Sequence, residues 1–594
     1  MKQKKETLVG TIVSVNGNVI SVKMHDRVKS TMPIIDGLLY RIGQIGSFLR
    51  VPLGYINLYG VVTKIGADAI PESLRELALR EDERSLNTRW MSLVLIGERI
   101  GRRFERGVTQ FPTAEDEVHL VTIEDLNVIY GGFDESNSIT VGNISVSESL
   151  PAKLELDKLV TRHCAVVGST GSGKSNTVAV MLESIAKGGF PSARILLVDP
   201  HGEYNETLKE YSKVFKVNAD TAKAQSELYI PFWALPFDEL MASFPGALSD
   251  QQRDYVRSKM LEEKIASIIK LKSKPDINSL TADSPLPFSI KQLWFDLDDF
   301  ERQTFRENRR PDTAILIEKG NPEKLVSNKY EPASPGGGSP FLNFQAKGIL
   351  GFLDAMRTRM LDQTYRFLYE PGELNPSLDG SVKRDVDSLL AEWLGHDRPI
   401  TILDLSGIPT EIMSSISGSL LKIVYDALFW GQNLPVGGRE QPLLLVLEEA
   451  HNYLKAGEDS ISSRTVQTIA KEGRKYGVGL LLVTQRPTEL DETVLSQCGT
   501  LIALRMTNKG DRGHVSAAVQ DELYDMVALL PSLRTGEGLI MGEAVKIPSR
   551  VKFEQISKAP KSADPLVSRQ WKKPKPDNKE YKATVDYWRN RKFS

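Results

Sequence analysis

Eight consecutive residues, Gly168-Ser169-Thr170-Gly171-Ser172-Gly173-Lys174-Ser175, constrain this chain more than any others. They follow an apolar run, Cys164 to Val167, and precede Asn176-Thr-Val-Ala-Val-Met-Leu, a helical pattern. The glycines therefore occupy a strand-to-helix turn, where backbone N–H groups can converge on phosphate oxygens at the positive end of a helix. In that context Lys174 neutralises the β- and γ-phosphates and the Ser175 hydroxyl ligates Mg²⁺, so ATP and Mg²⁺ are the expected cofactors, held by residues 168 to 176 including Asn176.

A phosphate-binding turn needs a second strand that carries acids. Leu443-Leu-Leu-Val-Leu-Glu448-Glu449-Ala-His451 supplies one, with Glu448 expected to hold Mg²⁺ and Glu449 to act as general base toward water. A third apolar run, Leu480 to Val483, ends in Thr484-Gln485-Arg486-Pro487, placing the Gln485 amide where it can sense a γ-phosphate; the plainer reading is a polar strand end. Ahead of it, Lys471-Glu-Gly-Arg474-Lys475-Tyr-Gly477 offers Arg474 as a finger to a neighbour's nucleotide, with surface charge as the alternative. Val198-Asp199-Pro-His201-Gly-Glu203-Tyr204 closes a run expected beside the strand before Gly168, which points its acids at the same cleft unless Asp199 caps a turn. The remaining histidines have no ligand spacing, so a metal site made of side chains alone is not expected.

The apolar runs are too uniform for half-exposed strands and suit a parallel sheet covered on both faces, an α/β core read over residues 150–235 and 396–550. Between them, residues 236–395 carry helical stripes such as Leu261, Ile265, Ile268, Ile269 and Ile290, Leu293, Trp294, Leu297, Phe300, read as a mostly helical insertion. Inside it, Tyr330 to Pro340 is rich enough in Gly, Pro and Ser to be a mobile surface loop. Residues 1–125 read as a β-barrel: a hairpin around Asn16-Gly17 as a type I′ turn, then runs at Phe48 to Leu53, Tyr55 to Thr63, Met91 to Ile96 and Val118 to Thr122.

Composition narrows the rest. With 594 residues, the chain is long enough for three or four domains, and a formal charge of −2 leaves any nucleic-acid contact to local basic surfaces. Only Cys164 and Cys498 occur, which excludes a disulfide framework and favours a reducing, cytoplasmic setting. Neither a secretion signal after Met1-Lys-Gln-Lys-Lys-Glu nor a membrane span is expected. Residues 551–594 form a tail of net charge +7 that includes Tyr581, Tyr587, Trp588 and Phe593, either a solvated extension or a docking segment.

Taken together, Arg162-His163, the Gly168 to Ser175 turn, Asp199-Pro-His-Gly-Glu-Tyr, Glu448-Glu449-Ala-His, Glu472-Gly-Arg-Lys-Tyr-Gly and Thr484-Gln-Arg-Pro with Leu495-Ser-Gln-Cys resemble the HerA family of the HerA/FtsK branch of P-loop ATPases. The N-terminal barrel is similar to that family's HAS barrel, most closely at Phe104-Glu-Arg-Gly-Val. The resemblance implies a RecA-like ATPase core, a homohexamer with ATP between neighbours, and double-stranded DNA in the central pore. It implies that Lys174, Ser175, Glu448 and Glu449 act in cis with Gln485 as sensor. It also implies that Arg474 acts in trans and that Arg162 contacts nucleotide or the adjoining subunit. A nuclease or other effector partner is implied as well, in DNA end processing or antiphage defence. Two other readings stand beside this motor: an ATP-binding ring that scaffolds an effector enzyme, and a conjugation or secretion ATPase. Arg464 and Lys471 are candidate DNA contacts, with helix-surface charge as the alternative.

Overall fold

The computed structural model describes residues 7–26, 28, 34–35, 38–39, 44–67, 89–145, 149–271, 275–336, 338–457, 460–519, 524–558, 560, 567–575 and 578–589. The N-terminal Met1 to Glu6, Gly337 and Phe593, which enter the expectations above, lie outside the described residues.

A single sheet organises the core, and its central parallel strands are buried because they are apolar on both faces. In spatial order the parallel strands are Thr500–Leu504, Cys164–Val167, Val478–Thr484, Leu443–Leu447, Arg194–Asp199, Ile400–Asp404, Ser212–Lys216 and Gln225–Glu227. Four antiparallel strands extend it past Thr500–Leu504: Glu537–Gly542, Ser549–Phe553, Ser138–Ile144 and Pro151–Glu155. The sheet thus takes in Ser138–Ile144, upstream of the expected core, and ends three residues into the expected tail.

This order corrects one expectation. Arg194–Asp199 is separated from Cys164–Val167 by two strands, Val478–Thr484 and Leu443–Leu447. Uniform apolarity marks a strand as central but carries no information about its neighbours, so chain order was the wrong guide to spatial order.

The barrel closes as expected, with six strands in a ring: Leu8–Asn16, Val19–Met24, Arg89–Ile100, Ile56–Ala67, Phe48–Leu53 and Glu117–Leu120, with Arg103–Arg106 added at the side. Its first hairpin turns one residue later than expected. Asn16 pairs with Val19, so Gly17 and Asn18 form the loop, and of these only Gly17 has positive φ, at 59°, as in a type II′ turn. The barrel is joined to the core by the helix Ile123–Tyr130, whose buried Asp125 accepts from Tyr59 Oη (2.8 Å), Arg50 (3.2 Å) and Arg99 (2.9 Å).

The insertion is mostly helical, built on Asp250–Ser267, Ile290–Arg302 and Leu350–Leu361, with two short hairpin pairings, Thr304–Phe305 with Phe341–Leu342 and Leu316–Glu318 with Lys329–Tyr330. The segment from Tyr330 to Pro340 is irregular, and Ser334 N–H donates to Pro340 O across it. Buried Lys264 directs its three protons at the carbonyls of Trp233, Ala282 and Ser284 (3.2, 2.6 and 2.7 Å), which stitches the insertion's first helix to its loops. The helix Thr410–Trp430 is long and apolar enough to cross a membrane by length and composition, but 61% of its most apolar stretch is buried inside the fold. Basic-tail helices Val567–Gln570 and Asn578–Arg589 are largely exposed.

His163 pins three elements at the entrance of the sheet. Its Nδ1 accepts from Leu480 N–H (3.0 Å), which leaves the proton on Nε2 to donate to Ala470 O (3.1 Å). Burial pushes its pKa down to about 4 against the ordinary ~6.5. The unfolded chain therefore takes a proton below about pH 6.5 that the folded ring refuses, so this contribution to stability is complete at neutral pH and is lost as pH falls toward 4. In calorimetric melts, His163→Gln is expected to be less stable than the parent at pH 7.5 by about 1–3 kcal/mol, from disturbed buried hydrogen bonds. The gap should narrow between pH 6.5 and 4, whereas a gap independent of pH would contradict a buried neutral ring.

Candidate nucleotide site

Residues 168–175 connect a fully buried strand to the helix Lys174–Lys187. Gly173, at the helix N-cap, has φ 106°, a conformation costly for any side chain. A Cβ on Gly168 would stand 2.6 Å from Ser172 Oγ, so the turn is as tight as the backbone allows. Ser169 N–H is tied to Arg505 O (2.9 Å) and Ser172 N–H to Ser169 O (3.1 Å), fixing the loop's curvature. Ser172 Oγ is buried without a hydrogen-bond partner, and Lys174 Nζ folds back on the carbonyls of Gly168 (2.9 Å) and Ser169 (3.3 Å). Burial lowers the Lys174 pKa, opposed by the charges of Glu449, Glu448 and Glu203. A glycine cradle around a lysine with acids nearby fits a polyphosphate carrying a divalent cation.

The acids arrive from the ends of neighbouring strands. Glu448 leaves Leu443–Leu447, accepts from Tyr204 Oη, and is pushed by burial up to about 8, with Asp199, Glu203 and Glu449 adding to the shift. Glu449, the next residue, has φ 48° and ψ 51°, left-handed values that a carboxylate residue adopts only when its surroundings impose them. That turn brings Glu449 Oε2 to 3.2 Å from His451 Nδ1. Burial lowers the His451 pKa, and Nδ1 also lies 3.1 Å from Thr484 Oγ1. Apart from that His451 contact, the buried Glu449 Oε2 has no hydrogen bond among the described residues, which leaves acceptor capacity for a water in the cleft.

Gln485 Oε1 accepts from Thr170 Oγ1 at 2.5 Å, so the strand end Val478–Thr484 faces the tip of the glycine loop. Ser175 Oγ donates to Glu203 Oε2 at 2.9 Å, which brings the Asp199 box into the site across two intervening strands. Asp199 itself caps the turn, accepting from the N–H groups of His201, Gly202 and Tyr204 (3.1, 2.8 and 3.2 Å), so Glu203 is the box's cleft-facing acid. Ser175, Glu203 and Glu448 offer hard oxygens suited to Mg²⁺, but among the described residues no group of three or more His, Cys, Asp or Glu could hold a metal. An ion here would need phosphate oxygens and water to complete its shell.

Three of the expected residues lie outside this cleft. The Asn176 side chain turns away from the loop to bond Glu554 O (2.7 Å) and Ile556 N–H (3.1 Å), so its amide serves the backbone that follows the last sheet strand. Arg162 and Arg474 precede the strands Cys164–Val167 and Val478–Thr484, whereas the glycine loop and Gln485 follow them. The arginines and the phosphate loop therefore occupy opposite edges of one parallel sheet, separated by up to roughly 20 Å for a seven-residue strand at ~3.3 Å per residue. Arg162 is 3.5 Å from Glu543, and the exposed Arg474 guanidinium has no ion pair among the described residues. Neither can reach the phosphate loop of its own chain.

Sequence reasoning missed the roles of Tyr204 as partner of Glu448, of Arg505 as the carbonyl that fixes Ser169, and of Gly536, whose N–H donates to Ser172 O at 3.0 Å. None carries a local signal, since each acts from a distant strand end.

Residues 139–424 match the family described as Helicase HerA, central domain, and residues 413–586 match the family described as Helicase HerA-like C-terminal. Relatives include the DNA double-strand break repair helicase HerA of Saccharolobus solfataricus, 26% identical over 78% of this chain and 77% of that protein. The Pyrococcus furiosus protein of the same name is 26% identical over 72% and 71%. Among solved structures, VirB4 of Thermoanaerobacter pseudethanolicus is similar with a TM-score of 0.45 at 13% identity, covering 72% of this chain and 99% of that one. The plasmid coupling protein TrwB, in complex with a non-hydrolysable ATP analogue, gives 0.42 at 14%, covering 73% and 93%. The buried P-loop, the paired acids and the family matches over residues 139–586 lead to one conclusion: the chain belongs to the HerA family of helicases, P-loop ATPases with an N-terminal β-barrel.

Proposed function

We propose that this protein is an ATP-driven, Mg²⁺-dependent motor that translocates double-stranded DNA through a hexameric ring. The observation that carries the reading is the split of the machinery across the sheet: loop, acids and Gln485 at one edge, Arg162 and Arg474 at the other. A head-to-tail ring brings the arginine edge of one copy to the phosphate edge of the next. The surface beside Arg474 suits such a contact. The turn Gly473–Tyr476 packs on the end of the helix Thr410–Trp430 through the Phe429–Tyr476 ring pair and on the loop after it through Arg439 Nε to Lys475 O (3.1 Å), and this region exposes Trp430, Leu434 and Val436. Exposed apolar groups of this size next to an unpaired guanidinium mark a surface that is covered in the working assembly.

In this assignment Lys174 and the glycine-loop N–H groups hold the β- and γ-phosphates, and Ser175, Glu203 and Glu448 are the groups that would hold Mg²⁺, which supplies charge neutralisation on the phosphate oxygens. Glu449 accepts the proton of the attacking water through its buried Oε2, with His451 beside it. Gln485 registers the γ end through its bond with Thr170. The neighbour's Arg474 stabilises the charge that develops on the transferred phosphoryl group. The relatives named as DNA double-strand break repair helicases support duplex DNA as the track. A nuclease or another effector consumes the work, in DNA end processing or antiphage defence, and the basic tail is the segment we assign to its docking. DNA is held by backbone charge without base readout.

Steady-state ATPase assays with and without duplex DNA test this. Glu449→Gln is expected to lower kcat by about 10²–10⁴ with little change in KM, and Arg474→Ala by about 10³ or more. DNA stimulation should be indifferent to sequence and fall steeply with salt. Turnover unchanged by Arg474→Ala, at a concentration where rings form, would refute the shared site.

A further inference from the structure

The amino edge of the sheet, opposite the nucleotide cleft, carries a cavity of about 200 Å³. It lies where the strands Arg194–Asp199 and Ile400–Asp404 begin and the helix Val386–Leu394 ends. The whole length of Arg194–Asp199 therefore separates it from the turn that Asp199 caps. Its volume is below the ~300 Å³ at which sites for drug-sized molecules begin, yet well above the ~10–15 Å³ that one water needs. A small guest fits that range.

The lining is rich in donors and cations. Arg194, Arg398 and His396 contribute to it, and among the described residues none of the lining groups is acidic. Acceptors at the helix end are already engaged. Thr401 Oγ1 donates to Trp393 O and accepts from His396 Nε2 (2.7 Å), His396 Nδ1 accepts from Arg398 N–H (3.1 Å), and Ala391 O accepts from Gly395 N–H (2.9 Å). That chain fixes a neutral imidazole. Burial and the charges of Lys213 and Arg398, opposed by Asp397, keep its pKa below the ordinary value.

Two donors in the lining are not engaged. Trp393 is 1% exposed, and its Nε1–H has no hydrogen-bond partner among the described residues. Arg194 donates from Nη1 to Val436 O (3.1 Å) and from Nη2 to Gln441 O, both neutral groups, while its buried Nε–H has no partner among the described residues. Burial alone shifts its pKa, downward, with no carboxylate opposing. Both side chains can only donate, and a partly buried guanidinium without a counterion is costly. The complement of such donors among cations is an oxyanion.

We propose that this cavity binds a small free oxyanion of the phosphate class, with Trp393 Nε1 and Arg194 Nε as its donors and Arg398 adding positive charge. Bound there, the anion joins the helix Val386–Leu394 to Arg194 and, through it, to the loop that carries Val436 and Gln441. The same loop holds the Arg474 turn through Arg439 Nε and Lys475 O, so the anion braces the arginine edge from a site of its own.

Inorganic phosphate also suits the glycine loop, so the full-length protein is first saturated with Mg²⁺ and a non-hydrolysable ATP analogue, and phosphate is then titrated calorimetrically. One saturable site per chain is expected, and phosphate should raise the melting temperature. Trp393→Phe keeps an aromatic ring but removes the donor, and should raise the Kd of phosphate ~10-fold or more. Arg194→Lys, which keeps the charge but not the fork, should also weaken it. A melting temperature equal to the parent's without phosphate shows that a variant is folded. In Lys174→Ala without nucleotide, phosphate binding should persist; its loss would place the phosphate in the glycine loop and overturn the proposal. Sulfate should compete and the larger AMP should not, and displacement by AMP would overturn the assignment to a free oxyanion. Binding that never saturates, an adventitious ion only, or a Kd unchanged in folded Trp393→Phe, would overturn the site.

Discussion

The polarity of one parallel sheet governs this molecule. Because Cys164–Val167, Val478–Thr484 and Leu443–Leu447 run the same way, everything that follows them in sequence lies at one edge and everything that precedes them at the other. The strands carry no polar cargo of their own; they are buried and set distances. A phosphate loop and its acids gather at the carboxyl edge, where parallel sheets bind ligands, and Arg162 and Arg474 are held a strand's length away. His163 ties that second edge together, joining the entrance of Cys164–Val167 to Ala470 and Leu480.

The acid cluster is organised by contacts between elements far apart in the chain. Tyr204 reaches Glu448 across 244 residues, and Glu203 bonds Ser175 from a strand three places away. These contacts concentrate carboxylates in a buried space, which is why burial pushes Glu448 up to about 8 and why Lys174 is the cation that site requires. Glu449 escapes the crowding only by a left-handed backbone that turns its carboxylate to the cleft.

What the sequence disclosed and what it withheld divide along the same physical line. The glycine loop, Glu448 with Glu449, and Gln485 were legible because each is a short motif at the end of an apolar run, and the loop's demands on φ and on space are met by local glycines. The barrel was legible from alternation and turn residues, although its first hairpin turns at Gly17-Asn18, since a neighbouring pair of turn formers leaves register open by one residue. Strand order was not legible, because a run such as Arg194–Asp199 looks the same whichever neighbours it has. Nor was the use of Asn176, whose amide completes hydrogen bonds with Glu554 and Ile556 some 380 residues on. The proposal that Arg162 and Arg474 act in trans came from resemblance, and the sheet is consistent with it: both are on the edge that their own cleft does not face.

The central claim, that one copy's arginine completes the next copy's site, is most directly tested by mixing. Arg474→Ala and Glu449→Gln proteins, each inactive alone, are combined at ratios that exchange subunits, and ATPase turnover is measured. Mixed rings contain junctions where an intact Glu449 meets an intact Arg474, so turnover should rise above either parent and peak near equal proportions. Mixtures that never exceed the average of the two parents, with exchange verified, would contradict the account.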